Sequence, residues 1–266
     1  MSTAPFDADR IRSRLHPTRV GVEVRVFEEL DSTNQYVLSE APGEDGLVVL
    51  AERQSRGRGR HGRTWDCPRG AGILCTVEII DTTNQFDAPL LSLVVPAVLC
   101  EAVVDATGVR CEIKWPNDLI TGGRKLGGVL IEARSSGMGC VQYAIGFGIN
   151  CLQQPSHFDE TLRDRATSLD IESSAAIDRT DVLVRILGLL DRALTRRLPL
   201  CADDVCHRWK QHALALGGRV VLVHDDRRYT GHVVDIDPTA ALVVQLDQGG
   251  RRLFPAAATT VLEYTT

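Results

Sequence analysis

GLVVLAERQSRGRGRHGRTWDCPRGAGILCTVEII (46–80) places two apolar runs on either side of an arginine-rich loop. GLVVLAE (46–52) reads as a buried strand, and GAGILCTVEII (70–80) as a second strand entered through small residues. From Arg53 to Trp65 inclusive there are five arginines, three glycines and no acidic residue, although the 266-residue chain has a formal net charge of −5. Glycines 57, 59 and 62 permit positive φ and close backbone approach, while the guanidiniums at 58, 60 and 63 offer planar, bidentate donors. Gly-Arg repeats also occur in disordered RNA-binding segments, but those are long and low in complexity. A short loop wedged between two strands reads instead as an anion site at the rim of a sheet.

The neighbouring segments extend that sheet. VEVRVFEEL (22–30) alternates like a strand, and DSTNQYVLSEA (31–41) starts with helix-capping residues. APLLSLVVPAVLCEAVVDATG (88–108) reads as a mostly apolar helix closing at Gly108, with Pro96 implying a kink or a later start. Short strands are expected at 112–115, 128–134 and 141–150, and loop with short helical turns over 151–177. An amphipathic helix follows over 180–198, with Thr180 as its N-cap, and another over 201–214. After Gly217-Gly218 the texture changes to about five short β-runs separated by DD, DP and GG turn signals, the pattern of a small barrel. The expected organisation is an α+β domain over 1–216, a mixed sheet with helices on one side, and an all-β domain over 217–266.

Composition narrows the function classes. With 44% hydrophobic and 24% charged residues the chain matches an ordinary globular protein, and a negative net charge disfavours a general nucleic-acid binder. The longest apolar run (89–100) is interrupted and short for a bilayer, and MSTAPFDADRIRSRL lacks an apolar signal stretch. Eight cysteines, none in a CxxC pair, read as reduced, mostly buried thiols of a cytoplasmic protein rather than a metal site.

Three further stretches carry chemistry. In KWPNDL (114–119), Lys114 and Asp118 bracket a Trp-Pro-Asn turn that could hold a carboxylate beside an ammonium. In GGRKLGG (122–128), Lys125 is placed on a turn leading into the next strand; the P-loop spacing is absent from the chain. In AIGFGIN (144–150), Gly146 and Gly148 fall on one strand face, which suits either a tight strand crossing or a ligand lying flat. Ser32-Thr33-Asn34 is a helix cap that could also present hydroxyls and N–H groups to a polar ligand.

In this order DSTN (31–34), AERQ with GRGRHGRTW (51–65), KWPNDL (114–119), RKLGGVLIE (124–132) and IGFGIN (145–150) closely resemble the successive motifs of biotin protein ligases. The resemblance spans roughly residues 24–262. It implies a class II aminoacyl-tRNA synthetase/biotin ligase-like mixed sheet with packed helices and a small C-terminal SH3-like barrel. About twenty residues precede the first family-like strand, which suggests the monofunctional type without a DNA-binding module. The implied reaction joins biotin to ATP, with Mg²⁺ assisting, as biotinyl-5′-AMP. Biotin then passes to a lysine of a biotin carboxyl carrier domain. Residue by residue, the resemblance assigns biotin binding to Ser32, Thr33, Asn34, Gln54, Gly57, Arg58, Gly59, Arg60, Lys125, Gly128, Gly146 and Gly148. It assigns the adenylate to Arg58, Arg60, Arg63, Trp65, Lys114, Lys125 and Asn150. Catalysis falls to Arg60, Lys125 and Asp118; no protein-held metal, DNA or membrane is implied, and a monomer or a homodimer fits equally. Arg56 departs from the small residue usual at the start of the loop. The rival readings are a lipoate or octanoate ligase or transferase of the same fold, and a nucleic-acid binder using the Gly-Arg loop.

Overall fold

The computed structural model describes residues 4–41, 43–135, 139–195 and 200–265. Seven strands form the main sheet: β1 (Glu23–Phe27), β2 (Leu47–Ala51), β3 (Gly72–Asp81), β4 (Glu112–Lys114), β5 (Asp118–Thr121), β6 (Arg124–Ser135) and β7 (Val141–Asn150). Their spatial order is β1-β2-β3-β7-β6-β5-β4. β1 and β2 pair in parallel and the remaining neighbours are antiparallel, so the sheet is mixed. A parallel pair needs a crossover, and α2 (Thr33–Ser39), capped by the Ser32 side chain, lies within it.

Alternation along β2 explains the layers. Val48 and Leu50 face the main core, while Leu47 and Val49 meet Val37 and Ala41 beside α2. Helices α1 (Ala8–Arg14), α3 (Ala88–Thr107), α5 (Arg179–Thr195) and α6 (Ala202–Lys210) contribute to the main core, and the single-turn α4 (Leu169–Glu172) follows the 151–168 segment. Helices on one side is therefore too simple: α2 covers the opposite face, where its capping residues meet the candidate site. α3 is apolar around its circumference because it is packed against the sheet, α5 and α6. It is helical on both sides of Pro96, without the later start that the proline suggested, and ends at Gly108 with φ 72°. At 20 residues it is long and apolar enough to span a membrane by length and composition, unlike the interrupted 89–100 run, yet it forms the middle of this core.

Two buried carboxylates tie distant segments together. Arg179 Nη1 lies 3.0 Å from Glu52 Oε2 and donates to the Gly72 carbonyl, and Glu52 Oε1 accepts the Phe6 N–H. Asp191 accepts the backbone N–H groups of Thr18, Arg19 and Val20. The N-cap of α5 is Asp178, which accepts the Thr180 N–H at 2.7 Å; Thr180 lies one position inside the helix. The end of the helix expected over 180–198 falls outside the described residues.

The second sheet comprises β8 (Arg219–His224), β9 (Arg227–Ile236), β10 (Leu242–Leu246), β11 (Arg251–Phe254) and β12 (Thr259–Thr265), antiparallel in the order β11-β10-β9-β8-β12. The DD and GG turns behave as their residues dictate, with positive φ at Asp225, Asp226, Gly249 and Gly250. This barrel-like unit docks on the turn between β4 and β5: Trp115 Nε1 donates to the Ala240 carbonyl at 3.0 Å, and Tyr264 Oη donates to the Trp115 carbonyl at 3.2 Å.

Candidate active site

A cavity of about 320 Å³ opens where the arginine loop, the start of α2, the β6–β7 face, the 115–118 turn and β12 converge. The loop is a closed structure. Gly57 accepts the Trp65 N–H at 3.0 Å, and Gly59 donates to the Arg63 carbonyl at 2.7 Å. A Cβ on Gly57 would stand 2.1 Å from the Trp65 oxygen, so glycine is required for the two ends to approach. Among the loop glycines only Gly62 has positive φ, and His61 shares the left-handed region at φ 55°. Arg56 anchors the loop start through an ion pair with Asp31, whose carboxyl it holds below the usual range with help from Ser55.

The three loop arginines diverge. Arg58 turns to the protein: its Nη2 donates to Glu132 Oε1 at 2.7 Å and its Nη1 to Gln35 Oε1 at 3.2 Å. Arg60 Nη2 donates to the Ala256 carbonyl, in the turn between β11 and β12, at 2.8 Å. Burial lowers the Arg60 guanidinium below its ordinary value, opposed by Asp118 and assisted by Arg63. It stays a cation, because arginine starts far above neutrality. Arg63 lines the cavity beside it.

The floor is polar and neutral. Thr33 donates its N–H and hydroxyl to Gln54 Oε1 at 2.7 and 3.0 Å. Asn34 Nδ2 donates to the Leu130 carbonyl and to Glu132 Oε2, at 3.1 and 2.9 Å, while its Oδ1 accepts from Thr76 Oγ at 2.6 Å. Here the two strand glycines acquire a purpose. A Cβ on Gly146 would lie 2.0 Å from Asn34 Oδ1, and one on Gly148 would lie 2.6 Å from Trp65 Cε2. They admit the Asn34 amide and the Trp65 indole against the sheet.

At the far wall Asp118 Oδ1 meets Lys125 Nζ at 2.6 Å. The sequence pointed to Lys114 as the ammonium beside Asp118. The two are register partners on β4 and β5, but Lys114 places its ammonium 5.5 Å from the Tyr264 ring centre. Lys125 sits within β6 rather than on a turn, opposite Ile120 across a register shift, and its Nζ lies 5.6 Å from the Trp65 ring centre.

Comparison with known proteins gives the family and the fold. The model of the Biotin/lipoate A/B protein ligase family matches residues 26–150. The biotin–[acetyl-CoA-carboxylase] ligase of Paracoccus denitrificans is 31% identical over 85% of this chain and 95% of its own. The ligase of the same name from Mycobacterium tuberculosis is 30% identical over 97% of this chain and 96% of its own. The chain belongs to the biotin protein ligase family. A biotin protein ligase from Aquifex aeolicus, solved in complex with biotin and ATP, is similar in fold with a TM-score of 0.78 at 26% identity, covering 91% of this chain and 99% of that one.

All but two of the residues that the biotin protein ligase motifs single out line the cavity; the exceptions are Gly57 and Asn150. Asn150 is buried, donating to the Thr167 carbonyl and accepting from Gln153 Nε2, both at 2.9 Å, so its amide is committed to the 151–168 segment. Other lining residues were missed. Trp115 and Asn117 lie inside a quoted motif, whereas Arg165 and residues 259–262 of β12 reach the cavity only through tertiary folding and carry no local signal.

Proposed function

We propose that this ligase condenses biotin with ATP in the cavity and transfers the biotinyl group to a lysine of a biotin carboxyl carrier domain. A biotin carboxylate oxygen attacks the α-phosphorus, and the bond to the β-phosphate breaks, releasing pyrophosphate. The lysine amine then attacks the biotinyl carbonyl, and AMP leaves. Both steps build negative charge on oxygen, which preorganised cations stabilise.

The observation that carries this reading is the convergence of the desolvated Arg60 guanidinium and the Lys125 ammonium on one cavity over a neutral, hydrogen-bonding floor. Arg60 and Lys125 address the carboxylate and phosphate oxygens. Thr33, Asn34 and Gln54 offer the polar floor for the ureido group, and Trp65, Lys114 and Arg63 form the nucleotide side. Asp118, charge-compensated by Lys125, orients the incoming amine. Asp118 supplies a carboxylate to the cavity lining, and Mg²⁺ commonly binds through one or two carboxylates together with substrate phosphates. With that carboxylate already paired with Lys125, the ion would be held chiefly through the phosphates of MgATP. Residues 1–216 act as the biotin/ATP-binding domain and 217–266 as a small barrel closing one side. Eight free cysteines accord with a cytoplasmic setting.

Pyrophosphate exchange measured with biotin, lipoate and octanoate separately tests the assignment. Exchange that depends on biotin supports it; exchange with lipoate or octanoate in biotin's place would move the chain to the sister activities of the family.

A further inference from the structure

Glu132 ends the RKLGGVLIE stretch without an assigned role and does not line the cavity, yet both of its oxygens are used. Oε1 takes the Arg58 guanidinium at 2.7 Å, and Oε2 takes the Asn34 amide at 2.9 Å. Arg58 stands at the start of the arginine loop and Asn34 in the cavity floor, so one β6 carboxylate bridges two walls of the site. Its side chain is 22% exposed and that of Arg58 43%, a setting where an ion pair is labile rather than permanent. Gln35 adds a second, neutral acceptor on the same guanidinium.

We infer that Glu132 is a positioning residue, a clasp that holds the arginine loop over the bound adenylate by engaging Arg58 while it fixes Asn34 beneath. This rests on the ligase reading of the site. Arg58 then serves the loop through its guanidinium, and the anion is left to Arg60 and Lys125. Opening the clasp leaves the loop's own closure at Gly57 and Trp65 intact, so the reactive groups are still assembled. What changes is how long the loop stays down, hence how fast an activated intermediate escapes or meets water.

The test uses the full chain with preformed biotinyl-5′-AMP, following its release and hydrolysis in wild type, Glu132→Gln, Arg58→Gln and the double variant. Glu132→Gln keeps an oxygen for Asn34 and removes the charge that Arg58 needs. The expected result is loss of the intermediate roughly three- to tenfold faster, in line with one partly exposed ion pair. In Glu132→Gln, biotin-dependent pyrophosphate exchange at saturating substrates and the thermal midpoint should stay near wild type, and the double variant should be no leakier than Arg58→Gln. Glu132→Asp provides a second variant, expected to recover part of the retention. Wild-type retention in Glu132→Gln, or effects that multiply fully in the double variant, overturns the clasp. A wild-type protein that never forms or holds the intermediate overturns the ligase reading, and the clasp with it.

Discussion

Gly146→Ala places a methyl group where the structure has Asn34. The new Cβ would stand 2.0 Å from Oδ1, 2.8 Å from Cγ and 3.0 Å from Nδ2, so the whole amide must retreat. It cannot do so freely, because Leu130, Glu132 and Thr76 each hold it by a hydrogen bond. Two neutral hydrogen bonds at about 1 kcal/mol each and one to a carboxylate at about 1.5–3 kcal/mol set an upper bound on the loss. Water reaching the displaced amide returns part of it, leaving an expected destabilisation of about 2–3 kcal/mol. Asn34→Ala removes the same three bonds without the clash. The double variant should therefore resemble Asn34→Ala alone, since the clash and the bonds belong to one side chain. Urea unfolding of the four proteins measures the cycle, and titration calorimetry follows biotin. If the displaced amide also disturbs the polar floor, the same 2–3 kcal/mol corresponds to about 30- to 150-fold weaker biotin binding. Additive stability changes, or a Gly146→Ala protein within about 0.5 kcal/mol of wild type, a typical neutral surface effect, would refute the reasoning.

Other perturbations reach different parts of the account. Lys125→Ala and Arg60→Ala should each lower the rate of biotin-dependent exchange by roughly 10²–10³-fold, as loss of a preorganised charge donor does, with little change in thermal midpoint. Near-normal exchange in both would count against the assigned roles. Arg179→Met leaves Glu52 buried without its cation and should cost about 3–5 kcal/mol in urea unfolding, much of it recovered when Glu52→Gln is added. Glu101 gives a pH signature. Burial alone would raise its carboxyl, but Arg208 and His212 outweigh burial and hold it at about 2. Because the folded value is depressed, the stabilisation is complete above the unfolded carboxylate range and is lost as pH falls from about 4.5 towards 2. The stability gap between wild type and Glu101→Gln should narrow across that window, and a gap independent of pH would contradict it.

Much of this was legible because it is local. β7 occupies the expected 141–150, Gly108 ends α3 in the left-handed conformation, and Ser32 caps α2. β5 escaped notice because four residues directly after a turn carry too little periodicity. What the sequence hid is pairing across distance. Asp118 finds Lys125 on the neighbouring strand rather than Lys114 four residues before it, since strand register decides which side chains meet. The ion pair between Arg58 and Glu132, 74 residues on, has no local signal either. Gly146 and Gly148 suited either a tight crossing or a ligand wall, and nothing in the chain announces that Asn34 and Trp65 are the groups packed against them. The barrel's share of the cavity, residues 259–262, is likewise a product of docking through Trp115 and Tyr264.

The most direct measurement is mass spectrometry of a purified biotin carboxyl carrier domain after incubation with the full chain, biotin and MgATP. The account predicts the mass of one biotinyl group on a single lysine, dependent on both small molecules and lost in Lys125→Ala. An unmodified carrier lysine, with the wild-type protein folded and both substrates present, would contradict it.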